Sequence, residues 1–299
     1  MKAYPLKLKP YYKDVIWGGT ALKKKYKMDL PTNTIGEAWE LSSREGYDCT
    51  VLNGEYKSKT LREYLSDDGC NPDEFPLLVK LIDANQDLSV QVHKSKTEMW
   101  YIIDAVRGAK LVYGLKEDTT VKTLFSAVET GNPKEISSLL NYVTVHPGEV
   151  YFIPKGLVHA IGAGILIAEI QENDDSTYRL YDYDRTDAEG NKRELHIKQA
   201  KETVNPISEA KIYAQRFAKG RSSEATLVNC DTFCVKRHII RTSLPMENKS
   251  YTHILCMDGD GDISGVPIKQ GESILIPKGM DSFITKANRP MSVLISRAN

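Results

Sequence analysis

The sequence predicts a mainly β chain folded into two double-sheet jelly-roll barrels, with a small helical insertion in the first. Three observations predict it. Runs of β-branched and aromatic residues, bounded by Gly, Pro, Asn and Asp, recur along most of the 299 residues, as strands separated by turns do. A helical period interrupts them chiefly near residues 116–141. The chain also repeats itself. His146-Pro-Gly-Glu-Val-Tyr-Phe-Ile-Pro-Lys-Gly-Leu-Val-His-Ala-Ile161 aligns without gaps, at an offset of 123, with Lys269-Gln-Gly-Glu-Ser-Ile-Leu-Ile-Pro-Lys-Gly-Met-Asp-Ser-Phe-Ile284. In both copies Gly-Glu turns into a short strand that ends on Ile-Pro-Lys-Gly, at an edge or bend where Pro is tolerated.

Taken in order, Trp17-Gly18-Gly19 reads as a turn, Gly36–Ser42 alternates like a strand, and Asn53-Gly54 is a turn candidate. Thr60 and Glu63 form a capping box that opens a short helix. Phe75–Ile82 is almost wholly apolar, as suits a strand buried on both sides. Leu88–Ile103 reads as a hairpin: Gln91 and His93 share one strand face, Lys94–Thr97 turns the chain, and Glu98 begins the return strand. Two helices around Thr119–Val128 and Pro133–Leu140 are broken at Gly131-Asn132-Pro133. Strands resume from Tyr142 to about Asp184, followed by a charged loop at 185–194 and a helix from Ile197 to about Glu202. The polar stretch 215–223 reads as a linker before strands that run from Ala225 to the end. This organisation divides the chain into residues 1–215, a barrel with N-terminal strands and the insertion, and residues 225–299, a degenerate second barrel.

Forty Lys and Arg balance forty Asp and Glu, so no global field favours nucleic acid or an anionic membrane. No apolar run approaches the roughly 20 residues that cross a bilayer, and the N-terminus shows no secretory h-region. The five cysteines are scattered and odd in number, which fits a reducing compartment; a cytoplasmic protein is expected. Cys230, Cys234 and Cys256 read better as small hydrophobes in strands than as a metal knot.

The chemistry concentrates in the first barrel. A turn, a short strand, Pro154-x-Gly156 and then His159 is the pattern of a cupin strand end, and the second copy carries Ser282 where the first has His159. Gln91, His93, Glu98 and His159 together offer two nitrogens and two oxygens, a set that suits zinc, with manganese and iron(II) as alternatives. Histidines 146, 196, 238 and 253 lack ligand neighbours and read as structural. Downstream, Glu169 and Gln171 share a strand face, and Arg179 presents a planar fork suited to a phosphate or an enediolate oxygen, unless it pairs with Asp182 or Glu169. Lys96, two residues before Glu98, would stand at the mouth of the same site as a base or proton shuttle.

These residues resemble type I mannose-6-phosphate isomerase (phosphomannose isomerase) in its short bacterial form. The resemblance runs from about Leu8 to Arg185. It rests on Val15–Gly19, Gly36–Ser42, Asn53–Leu61, Phe75–Asp83, Leu88–His93, Lys96–Asp104, His146–His159 and Asp175-x3-Arg179-x2-Asp-x2-Arg185. It implies two cupin domains, one zinc ion per chain, and interconversion of mannose 6-phosphate and fructose 6-phosphate through a cis-enediolate. Carried over, the zinc ligands are His93, Glu98 and His159, with Gln91 as the fourth ligand of longer members. Arg179 matches the active-site arginine, Lys96 the lysine two before the ligand glutamate, Ser89 a serine near the substrate phosphate, and Asp175 the acidic residue four before that arginine. The matched Phe75–Asp83 stretch adds Lys80 on the substrate. Lys96 is the preferred base, with Glu169 or Asp175 behind it. The partner implied is a small sugar phosphate, for a monomer or homodimer with no nucleic-acid or membrane partner. One departure stands out, since only four residues separate His93 from Glu98, a shorter loop than relatives carry. A cupin iron(II) oxygenase, with its two histidines and one carboxylate, and a non-catalytic sugar-binding or regulatory cupin are the alternatives.

Overall fold

The computed structural model describes residues 3–205 and 222–299. A six-stranded sheet runs in the order β10 (Val150–Ile153), β7 (Glu98–Ala105), β12 (Ile165–Glu172), β5 (Leu77–Ala84), β3 (Ile35–Leu41) and β2 (Tyr11–Asp14). Opposite it lies a five-stranded sheet: β13 (Tyr178–Tyr181), β6 (Val90–Val92), β11 (His159–Ile161), β8 (Lys110–Leu115) and β9 (Leu140–Thr144). A nine-stranded sheet has the path β14 (Ser222–Asn229), β15 (Phe233–Ile240), β20 (Ser282–Ala298), β17 (Thr252–Ile263), β19 (Ser273–Ile276), β1 (Leu6–Lys9) and β4 (Thr50–Val51). Here β16 (Ser243–Glu247) pairs with β20, and β18 (Val266–Lys269) pairs with β17.

Strand alternation sorts the core into layers. From β12, Ile165 and Ile167 join Trp100 and Ile102 in the core shared with the five-stranded sheet. Leu166, Ala168 and Ile170 join Met99, Tyr101, Leu255, Leu275 and Leu294 in a second core shared with the nine-stranded sheet. The six-stranded sheet is therefore covered on both faces, and β3 and β5 are buried at every position. The outer face of the five-stranded sheet is covered by α3 (Val121–Thr130), α4 (Pro133–Leu139) and α5 (Ile197–Thr203). Gly131, at φ 68°, ends α3, and Asn132 with Pro133 opens α4. The Thr60–Glu63 capping box opens α2 (Leu61–Asp67) as expected. A short α1 (Ala21–Tyr26) was not foreseen; its Thr20 makes no side-chain cap, so no start signal marks it.

The second barrel is the nine-stranded sheet curled on itself. Register shifts between β17 and β20 at Cys256–Asp258 and Asp258–Gly261 bend the two longest strands, and Ile254, Cys256, Ile274, Phe283 and Val293 fill the interior. The repeat is a repeat of geometry. The His146 N–H donates to Glu149 Oε2 at 2.8 Å, and the Lys269 N–H to Glu272 Oε2 at 3.0 Å. The Leu157 N–H and the Met280 N–H close the Pro-x-Gly turns on Pro154 O and Pro277 O, each at 3.2 Å.

Two expectations change. The N-terminal strands do not all lie with the first barrel: β1 pairs with β19 and β4, so both extend the nine-stranded sheet, because Leu6 and Leu8 belong to the core between the sheets. Leu88–Ile103 is not a hairpin. β6 pairs with β11 and β13, β7 with β10 and β12, so residues 93–98 carry the chain from one sheet to the other. The expected linker at 215–223 lies outside the described residues as far as 221, and β14 begins at Ser222. No described helix is long and apolar enough to cross a membrane.

Candidate active site

Strand register builds the site as two facing rows. Across the six-stranded sheet, Trp39 on β3 lies opposite Lys80 on β5, Lys80 opposite Glu169 on β12, and Glu169 opposite Trp100 on β7. One step along, Gln171 lies opposite Glu98. Across the five-stranded sheet, Arg179 on β13 lies opposite Gln91 on β6, and Gln91 opposite His159 on β11. The 93–98 crossing then delivers His93 and Glu98 to the same space from opposite sheets. Between the rows is a cavity of about 290 Å³ whose wall includes Lys80, Ser89, Gln91, Lys96, Glu98, Glu169, Asp175 and Arg179. Every site residue expected from sequence is thus at one place, with His93 and His159 buried beside Glu98.

His93, Glu98 and His159 are 2%, 1% and 1% exposed, and their ligand atoms lie within 4.8 Å of one another. His93 Nδ1 faces Ser176 O and His159 Nδ1 faces Leu157 O, both at 2.9 Å. A carbonyl only accepts, so both ring protons belong on Nδ1 and both Nε2 atoms carry lone pairs. Those Nε2 atoms are 3.1 Å apart. Glu98 Oε1 lies 3.2 Å from His93 Nε2 and 2.8 Å from Lys96 Nζ, yet among the described residues no donor reaches it with hydrogen-bonding geometry. Three buried acceptors converging on one point, each oriented from behind, are a donor set that a metal cation satisfies. Gln91 stands at its edge with Nε2 3.4 Å from His159 Nε2; turning the amide over would present its oxygen instead.

The electrostatics agree. Burial, aided by Lys96, holds His93 below the usual imidazole value, and burial with His93 nearby pushes His159 down to about 3. Burial opposes ionisation of Glu98, but the Lys96 charge outweighs it and holds the carboxyl well below the usual range. The ligand groups are thus deprotonated.

Trp100 and Trp39 were not singled out from sequence, and Gln171 was named only as sharing a strand face with Glu169. Trp100 Nε1 donates to Glu98 Oε2 at 3.1 Å and to Glu169 Oε2 at 2.9 Å, bridging the two carboxylates. Gln171 accepts from Lys96 Nζ at 3.2 Å through Oε1, while its Nε2 donates to Glu172 O and Asp174 O. Trp39 Nε1 donates to Glu37 Oε2 at 2.7 Å, and Lys80 Nζ lies 4.7 Å from the Trp39 ring centroid. Lys80 is shared among Glu37, Glu169 and Asp175 at 3.4–3.6 Å. Burial resists its charge, but the three carboxylates raise its pKa. Burial and Glu98 push Glu169 up to about 7 against the pull of Lys80. Burial opposes the Asp175 charge too, but Lys80 and Lys13 keep its carboxyl below the usual range. Only the period-2 signal marked Trp39, Trp100 and Gln171; their convergence depends on register.

Arg179 makes neither of the ion pairs weighed from sequence. Asp182 is taken by Arg185 and Arg193 at 2.6 and 2.5 Å. Among the described residues Arg179 Nε is buried without a partner, and Nη1 reaches only Glu194 O, at 3.5 Å. Ser89 Oγ donates to Gln91 Oε1 at 3.3 Å. The cavity therefore offers an uncommitted guanidinium opposite the carboxylate row.

A family model described as "Phosphomannose isomerase type I, catalytic domain" matches residues 6–107. The mannose-6-phosphate isomerase ManA of Bacillus subtilis (strain 168) is 38% identical, with 95% of this chain and 96% of that protein covered. The mannose-6-phosphate isomerase of Streptococcus mutans is 31% identical over 99% of each. The crystal structure of the mannose 6-phosphate isomerase from Bacillus subtilis matches with a TM-score of 0.87 at 30% identity, over 98% of this chain and 99% of that one.

Proposed function

Because the chain belongs to the type I phosphomannose isomerase family, we propose that its cavity interconverts mannose 6-phosphate and fructose 6-phosphate at a zinc centre held by His93, Glu98 and His159, with Gln91 as a fourth ligand. One observation carries this reading: three buried, unprotonated acceptors converge beside an uncommitted Arg179 and a buried Lys96. Two imidazoles and a carboxylate suit zinc, which when bound supplies Lewis acidity to the sugar oxygens.

The chain's own groups supply the rest. Arg179, with Ser89 beside it, binds oxyanionic oxygen, and an orphaned buried donor gains most from such a partner. Lys80 and Asp175 fix the sugar hydroxyls from the opposite row. Lys96, held by Gln171, is placed to carry the proton. In its neutral form it takes the proton from C2 of the open-chain aldose, the C1=C2 bond forms, and the carbonyl electrons move onto O1 as a cis-enediolate. The proton returns at C1 while the O2 proton passes to O1 and the C2=O2 bond forms, which leaves the ketose. Glu169, raised to about 7, is the second candidate for these transfers. Removing one group that stabilises a developing oxyanion typically costs ~2.7–4 kcal/mol. Family membership sets aside the iron(II) oxygenase, and the convergence of the expected site residues on one cavity argues against a purely binding cupin.

The test is a coupled assay with mannose 6-phosphate, with and without chelator, alongside metal analysis. His159→Ala should lose both the bound metal and the turnover. A fully active variant without zinc would overturn the assignment.

A further inference from the structure

We propose that the second barrel contains its own binding site for a small organic anion, one that carries a carboxylate or phosphate group, seated between Arg297 and His238. His238 reads from sequence as structural, yet its surroundings are those of a site. Alternation on β15 places Cys234, Lys236 and His238 on one face. Register sets Glu224 of β14 opposite His238, and from β20 it sets Arg297 opposite Cys234 and Ile295 opposite Lys236. That face turns into the barrel, since Ile240 further along it lies in the interior core, while Phe233 and Val235 point the other way into the layer against the six-stranded sheet. Leu244, Pro245, Met246 and Glu247 of β16 line the other side of a cavity of about 270 Å³. This lies just under the ~300–1,000 Å³ of typical ligand pockets, so the occupant is small.

The contents are unevenly satisfied. His238 is 3% exposed, and its Nε2 has no partner among the described residues; its Nδ1 lies 3.9 Å from Glu224 Oε2. Glu224 is engaged by Lys236. Arg297 is clamped, with Nε donating to Thr252 Oγ1 and Nη2 to Glu247 O, both at 2.7 Å, but no described carboxylate forms an ion pair with it. A fixed guanidinium that feels the Glu224 carboxylate only at a distance, because Lys236 engages that group, next to a buried imidazole with no partner among the described residues, is costly unless something completes both. A carboxylate or phosphate oxygen does so, because the planar fork matches either. Leu244, Met246 and Ile295 offer an apolar wall for its carbon body. At the rim, Glu247 pairs in register with Ser282, the residue that stands at the repeat position of His159. In this copy the ligand histidine is gone, and cationic donors line the interior instead.

The test follows the His238 ring in the full chain by histidine-selective NMR, with the resonance assigned through His238→Asn. Inorganic phosphate and malonate are titrated separately at constant ionic strength held by chloride. The expected result is a saturable shift with at least one of them, and the tighter of the two identifies the head group. Arg297→Gln should weaken it roughly tenfold or more, as for loss of a charge-assisted pair. Met246→Trp, which fills the opening without removing a donor, should abolish it. Neither variant should change mannose 6-phosphate turnover, since neither residue reaches the first barrel's cavity. No saturable shift with either probe, or affinities unchanged in both variants, would overturn the proposal.

Discussion

At the scale of single residues, Trp100 shows how much the metal centre depends on a side chain without acid–base chemistry of its own. Its one N–H is shared between Glu98 and Glu169. Without it two buried carboxylates would face each other with no donor between them, and the ligand oxygen would lose its orientation. Trp100→Phe keeps most of the packing and removes only that donor, so metal affinity should fall by ~10–100-fold, the usual effect of losing an outer-shell partner. Competition with a chelating dye measures it. Glu40 raises a different question, because it serves no reaction. It lies fully buried between the six- and nine-stranded sheets, with Oε2 accepting from Ser273 Oγ at 2.7 Å and Oε1 unpartnered. Burial pushes its carboxyl up to about 8. Unfolded, it titrates at the ordinary 4.5, so the folded state holds the extra proton between those values. The stability this contributes is complete below about 4.5 and is lost as pH rises to about 8. Glu40→Gln should therefore flatten the pH dependence of unfolding in that window and leave the variant more stable than the parent at the alkaline end. Urea unfolding at both ends of the window checks this. The candidate ligands were legible in the sequence because imidazoles are few, six in all, and two of them stand in strand motifs with a carboxylate five residues beyond the first. Trp100, Gln171 and Glu40 were not, because their roles come from partners on strands distant in sequence.

At the scale of elements, the crossing at 93–98 is the decisive feature. Period-2 alternation correctly put Gln91 and His93 on one face, but it cannot say which sheet the next strand joins. Four residues fit a hairpin as readily as a step between sheets. The step wins because β6 and β7 each have better partners: β7 is flanked by β10 and β12, and β6 by β11 and β13. As a consequence the candidate metal ligands come from opposite walls of the barrel, and the crossing itself has to be held. The segment after β12 does this. Asp174 accepts from the Ser176 N–H and hydroxyl at 2.8 Å and also from Ser95 Oγ, and Ser176 O receives the His93 Nδ1 proton. Asp174→Ala should free both loops and lower metal affinity by ~10-fold or more, while helix and strand content stay unchanged by circular dichroism. Undiminished affinity would mean that the crossing is rigid by itself. The alternation in β3 was read as a strand, but its burial at every position was not foreseen, since a single sequence does not show a third sheet.

At the scale of the molecule, the repeat predicts two barrels, and the structure ties them together more closely than a boundary near 215 implies. β1, from the N-terminus, is hydrogen-bonded to β19 of the second barrel, with Leu6 opposite Leu275 and Leu8 opposite Ser273. The six-stranded sheet lends its second face, through Val79, Leu81, Met99, Tyr101, Ala168 and Ile170, to the core it shares with Leu255, Leu275 and Leu294. Each fully buried side chain of that size is worth ~1.5–3 kcal/mol, so the face as a whole outweighs the marginal stability of a domain. A chain cut after residue 205 keeps every metal ligand but exposes that face and leaves β1 without β19. It should therefore fail as a soluble, metal-binding monomer: aggregation or strong dye binding by size exclusion and fluorescence, and no cooperative melt. The catalytic barrel's stability then belongs to the whole layered molecule. A well-folded, metal-loaded fragment of residues 1–205 would show instead that the two barrels are separable and that the shared core is dispensable.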